Sequence, residues 1–194
     1  MPILLVRDTT GDFDDGGPGV LMRDNDFSNT VQSHYYSFYE NDWDERPWKY
    51  TRLYPGTETW ISVCPTFSGR IARGNKAANL DGTDKNSTHS WGDISLLEGC
   101  DGAALLKATD GSEVTTGFSR DVLSNAPKEA MGRKSDGMGR VLDKTVGPEA
   151  NFHAIQWELR LLDPEIDAFI IQSLKPVIVT ENGRWDLTLY WGTL

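Results

Sequence analysis

The sequence predicts an all-β protein: a two-sheet antiparallel β-sandwich carrying one short helix and long acidic loops. Three observations predict it. First, the stretch from Trp91 to Ser112 reads as two apolar strands, Ile94–Leu97 and Ala103–Lys107, each closed by an Asp-Gly dipeptide, Asp101-Gly102 and then Asp110-Gly111. Asp-Gly supplies the left-handed backbone that a tight hairpin turn requires, so strand–turn–strand has a mechanism behind it. Second, the 194 residues include 19 glycines, nine prolines, seven Trp, seven Phe and six Tyr, which suits many short strands joined by turns rather than a helix bundle. Third, Phe152–Leu162 and Arg184–Trp191 alternate apolar with polar residues, the period of a half-buried strand.

Taken in order, Asp8 to Gly19 is a loop by composition, since Asp, Thr, Gly and Pro leave little to bury. Val20–Arg23 and the aromatic run Ser33–Glu40 are strands, followed by a polar, acidic turn from Asn41 to Pro47. Trp48–Leu53 is a strand, Pro55-Gly56 a turn, and Glu58–Cys64 a strand with Thr59, Ile61 and Val63 on one face. Gly69–Arg73 is a short strand, and Gly74 to Ser90 a long polar loop. The helix is expected in Ser119–Arg133, where Pro127 marks a start and Glu129, Ala130 and Met131 are good formers. Phe152–Leu162 is expected as a strand with Ile155, Trp157, Leu159 and Leu161 on one face and Gln156, Glu158 and Arg160 on the other. Phe169–Gln172 and Val177–Thr180 are strands, Asn182-Gly183 is a hairpin turn, and the last strand points Trp185, Leu187, Leu189 and Trp191 inward. Neither a linker nor an internal repeat divides the chain, so residues 1–194 are read as one domain.

A formal net charge of −10 argues against a polyanionic partner. The paired bases, such as Arg70 with Arg73 or Arg133 with Lys134, are too sparse to track phosphates, so neither nucleic acid nor an anionic membrane is expected. Nothing approaches the run of about 18 apolar residues that a spanning helix needs. The apolar run Ile3–Val6 is too short for a signal-peptide core, so the expectation is an intracellular chain or a mature form with its leader removed. Cys64 and Cys100 fit no zinc spacing; they form one disulfide or stay as two thiols, which geometry decides.

The order of features resembles the secreted fungal proteins known as osmotin- or thaumatin-like. The residues that carry the likeness are Phe38-Tyr39-Glu40-Asn41-Asp42-Trp43, Tyr54-Pro55-Gly56-Thr57-Glu58-Thr59-Trp60, Gly92-Asp93-Ile94-Ser95-Leu96, Asp110-Gly111-Ser112 and Gly117-Phe118. The resemblance implies a β-sandwich, secretion, association with glycans or cell walls and, in some members, weak glucan hydrolysis in an acidic cleft. Those proteins are dense in disulfides where this chain has two cysteines, and none of their cleft residues is carried over. Asn86-Ser87-Thr88 is an N-glycosylation triplet of the kind found in secreted surface loops.

Four groups of residues are candidates for chemistry. Asp42, Asp44 and Glu45 flank Trp43 and precede Trp48 and Tyr50; carboxylates accept hydroxyl hydrogen bonds while a flat ring covers the apolar face of a pyranose, so these six are candidate ligand contacts. The plain alternative is an acidic turn with its indoles in the core. Asp12 and Asp14 in one loop, and Asp24 and Asp26 in another, are candidate Ca²⁺ ligands, because hard cations want six or more oxygens. Neither run completes an EF-hand, and the alternative is turn formation by Asp side chains. His89 with Asp93, and His153 with Glu158, are candidate acid–base couples, although none of the three histidines has metal spacing. For glycoside hydrolysis two carboxylates must share one cleft, and Glu40, Asp42, Asp93, Glu98, Asp101 and Glu158 are available. No nucleophile elbow, phosphate loop or dinucleotide glycine motif is present, which removes serine hydrolase, kinase and oxidoreductase readings.

The leading expectation is therefore a glycan- or small-ligand-binding sandwich, non-catalytic or weakly catalytic, needing no cofactor beyond a candidate Ca²⁺ ion. Two others stand beside it: an intracellular cyclase or isomerase that holds a reactive small molecule in an aromatic pocket, and a structural or effector protein without a ligand.

Overall fold

In the computed structural model the described residues are 7–9, 11–25, 34–40, 47–65, 67, 69–73, 90–133, 140–172 and 176–190. Their strands are β1 (Arg7–Thr9), β2 (Gly19–Asp24), β3 (His34–Tyr39), β4 (Lys49–Leu53), β5 (Glu58–Ser62), β6 (Arg70–Arg73), β7 (Ser90–Gly92), β8 (Ala104–Ala108), β9 (Thr115–Phe118), β10 (Met131–Arg133), β11 (Arg140–Leu142), β12 (Ile178–Thr180) and β13 (Arg184–Leu189). One α-helix, α1 (Phe152–Leu161), accompanies them. The fold is all-β with one short helix. A four-stranded sheet runs β1-β4-β3-β6 and a five-stranded sheet β5-β2-β13-β8-β9, with β10-β11 and β12-β7 as separate ribbons. Pairing is antiparallel except for β1 with β4 and β2 with β13, which are parallel.

Alternation builds the core. Along β13, Trp185, Leu187 and Leu189 are buried while Arg184, Asp186 and Thr188 sit half-buried on the opposite face. Register places them beside Val20 and Met22 of β2 and Leu106 and Ala108 of β8, which are buried too. The four-stranded sheet adds Tyr36, Phe38, Leu53 and Ile71 to the same apolar cluster. Each such side chain is worth about 1.5–3 kcal/mol of transfer free energy, which makes this cluster the main source of stability. The Tyr36 hydroxyl joins the two sheets, donating to the buried Asp24 Oδ2 at 3.4 Å.

The helix is not where composition placed it. Residues 119–133 hold a single 3₁₀ turn, Lys128–Ala130, entered from extended backbone at Pro127 and followed directly by strand β10. Phe152–Leu161, read as a strand, is the α-helix. Its start is fixed by Asn151, whose Oδ1 accepts from the amides of His153 (2.9 Å) and Ala154 (3.2 Å), an N-cap the period-two reading passed over. The faces are reassigned accordingly. Ala154, Trp157, Glu158, Leu161 and Leu162 recur at helical spacing and turn inward, so Glu158 moves from the wet side to the buried one.

Three further expectations change. The runs 94–97 and 169–172 are not strands: they meet in an isolated bridge, Ser95 with Phe169, with Leu96 donating to Phe169 O and Phe169 to Ile94 O, both at 2.8 Å. Asp110-Gly111, by contrast, closes a hairpin after Ala103–Lys107 as expected, leading from β8 into β9, with Gly111 at φ +90°. Asn182-Gly183 is a corner rather than a hairpin, because β12 pairs with β7 whereas β13 pairs with β2 and β8. Strand β1 overlaps the start of the stretch read as loop, at Asp8 and Thr9. Cys64 is exposed and Cys100 buried, and no disulfide joins the two.

Candidate functional site

The outward positions of the five-stranded sheet form a continuous polar–aromatic surface. Register sets Trp60, Leu21, Asp186 and Lys107 side by side across four strands, and Glu58, Arg23, Thr188 and Leu105 in the next row. Arg23 ties the rows together: its Nε donates to both Asp186 oxygens at 3.1 and 3.0 Å, and its guanidinium also pairs with Glu58.

Trp60 lies against Gly19, close enough that a Cβ there would fall 2.2 Å from its Cζ2 atom. The Arg184 guanidinium rests over the indole at 4.2 Å from the ring centroid, a cation–π contact. Asp14 holds that guanidinium, with Nη1 donating to Oδ1 at 2.9 Å and Nη2 to Oδ2 at 2.5 Å, while Gly17 O accepts from Nη1 at 2.8 Å. The hydrogen bond from Arg184, joined by one from the Gly16 amide, lowers the Asp14 carboxyl below its ordinary value.

The acidic loop that supplies Asp14 is pinned to the edge of β5. Asp12 N donates to Trp60 O at 2.8 Å, and Asp12 Oδ2 accepts from Ser62 N at 2.9 Å and pairs with Lys49 of the other sheet. The indole N–H of Trp60 donates to Ser62 Oγ at 3.2 Å, and that hydroxyl reaches Phe13 O at 3.5 Å. Asp-Gly spacing shapes the tip, since the amides of Gly16 and Gly17 each bond the carboxylate two residues back at 2.9 Å. Phe13, next to this chain of contacts, is 85% exposed. Its apolar ring is thus left in water on a loop held by fixed donors and acceptors.

The sequence candidates are distributed as follows. Trp43, Asp42, Asp44, Glu45, Asp26, His89 and the Asn86 triplet lie outside the described residues. Trp48 is half-buried against the core, its indole N–H enclosed without a partner, and Tyr50 is half-exposed on β4. Asp12 and Asp14 are engaged by Lys49 and Arg184, and Asp24 by Tyr36. Among the described residues no three His, Cys, Asp or Glu side chains are grouped to hold a metal ion. Asp93 is buried. His153 is exposed and Glu158 faces the interior, so the helix separates this couple.

Sequence reasoning missed Phe13, Arg184 and Asp186 as site residues; Trp60 entered only through the resemblance. The usable signal was period two along β5 and β13, which sends Trp60, Arg184 and Asp186 to the face opposite the core. Elsewhere, a shallow cleft is lined by Ala103, Arg120, Asp121, Leu123 and Tyr190. Glu158 is fully buried, neither of its oxygens has a hydrogen-bond partner, and burial raises its carboxyl to about 9.

Neither a protein-family model nor a curated protein matches the chain.

Proposed function

We propose that the protein is a non-catalytic saccharide-binding β-sandwich whose binding surface is the Phe13–Trp60 edge of the five-stranded sheet. The observation that carries the reading is the exposed Phe13, whose backbone oxygen accepts from Ser62, on the loop joined to a Trp60 fixed by Arg184 and Ser62. A pyranose offers an apolar ring face and a rim of hydroxyls. Phe13 supplies the apolar counterpart, while Asp186, Glu58 and the Asp14–Arg184 pair supply acceptors and donors at fixed positions. The osmotin- or thaumatin-like resemblance points to the same ligand class.

A glycan array followed by titration calorimetry tests it. Phe13→Ala is expected to weaken binding about tenfold, near 1.4 kcal/mol for one lost aromatic contact. Phe152→Ala, which removes another exposed aromatic at the start of α1, is expected to leave binding unchanged. Absence of saccharide binding, or equal affinity for Phe13→Ala and the parent, removes the proposal.

A further inference from the structure

Helix α1 carries an ionisable group where an amphipathic helix keeps apolar ones. Ala154, Trp157, Leu161 and Leu162 make its inward stripe, and Glu158 sits in the middle of it, fully buried. Neither carboxyl oxygen meets a hydrogen-bond partner. The charged groups on the segments against which the helix packs are otherwise occupied. Lys128 and Glu129 of the 3₁₀ turn are exposed. Asp121 accepts from the amides of Leu123 and Ser124, and Asp143 from those of Lys144 and the Asn151 side chain. Arg120 is taken by Leu161 O and Asp167. Burial acts on Glu158, and among the described residues no cation compensates it.

We propose that Glu158 is a proton-operated pin, holding α1 against the sandwich while neutral and releasing the helix when it ionises. A buried carboxylate with no partner has lost its hydration and gained nothing, so ionisation and docking exclude each other. The helix is the unit that moves because no strand pairs with it. It is held by the Trp157 indole donating to Val122 O at 2.8 Å, by Arg120 on Leu161 O, and by the Asn151 cap reaching Glu129 O at 2.8 Å.

The sign follows from the raised carboxyl. Docked, Glu158 holds its proton up to about 9; undocked, it returns to the ordinary 4.5. Docking is therefore strongest below pH 4.5 and weakens as pH rises to about 9, with the opening constant growing about tenfold per pH unit between these limits.

Native-state hydrogen exchange of the full chain from pH 5 to 9, corrected for intrinsic exchange, reads this directly. Amides of residues 156–162 are expected to lose protection about tenfold per pH unit while opening at lower free energy than those of β13, which exchange only on global unfolding. Glu158→Gln, and Glu158→Leu as a second variant should the buried amide fold poorly, are expected to flatten the helix profile. A flat profile in the parent, the same slope in either variant, or helix amides as strongly protected as those of β13 at every pH would overturn the proposal.

Discussion

Gly19→Ala probes the join between fold and site. The added Cβ falls 2.2 Å from Trp60 Cζ2 and 2.7 Å from the backbone oxygen of Ile61. Ordinary carbon–carbon contact is about 3.5 Å, so the indole must retreat by roughly 1.3 Å or strand β2 must lift away from β5. The indole is boxed in by Arg184 above and by its hydrogen bond to Ser62, and the Ile61 carbonyl belongs to the sheet ladder. Overpacking of this kind costs about 1–3 kcal/mol, and the backbone obstacle puts the expectation at about 2–3 kcal/mol. With a urea slope of about 2–3 kcal/mol per molar, the unfolding midpoint should fall by about 1 M at unchanged slope. Gly17→Ala is the control: its Cβ meets only the Asp15 carboxylate, the end of an exposed side chain that can turn aside, so it should cost less than about 0.5 kcal/mol. A Gly19→Ala protein as stable as the parent would show that Trp60 does not lie against Gly19, and the geometry of the binding surface would fail with it.

Three more predictions test other parts of the account. Leu187→Ala, in the central strand of the five-stranded sheet and almost fully buried, should cost about 2–5 kcal/mol in urea unfolding, and a loss under about 1 kcal/mol would mean it is not in the core. Asn151→Ala should cost about 0.5–2 kcal/mol and lower the helical circular dichroism signal, since it removes the acceptor for two helix amides; unchanged values would refute the cap. Asp14 is stabilised as a carboxylate, so its contribution is complete above the ordinary value of 3.8 and is lost as pH falls below it. Arg184→Ala should return the Asp14 titration upward toward 3.8 by carbon-13 NMR, and an unmoved midpoint would show that the pair does not form.

The strands that were legible from sequence are those with one wet and one dry face. In β13, Trp185, Leu187 and Leu189 alternate with Arg184, Asp186 and Thr188, and no other period fits. Helix α1 was not legible because Trp157 and Leu161 satisfy both periods, and the vote was cast by Glu158. A carboxyl is ordinarily wet, and here it is enclosed. The parallel pairing of β1 with β4 joins residues more than 40 positions apart, and local patterning carries no trace of such a partner. The same holds for the surface around Trp60. Arg184 reaches Asp14 across 170 positions, so the acidic loop reads as solvated turn chemistry until the fold brings β13 beside it. Asp14 and Asp12, singled out as candidate metal ligands, each hold a cationic side chain in place, Arg184 and Lys49.

The most direct test of the binding surface is the Trp60 indole N–H resonance during titration with an array-positive oligosaccharide. The account predicts that this resonance and the Phe13 and Ser62 amides shift in step with saturation while the Trp157 indole, bonded to Val122 O on the helix, stays still. Saturable binding that leaves Trp60, Phe13 and Ser62 unmoved would place the ligand elsewhere and contradict it.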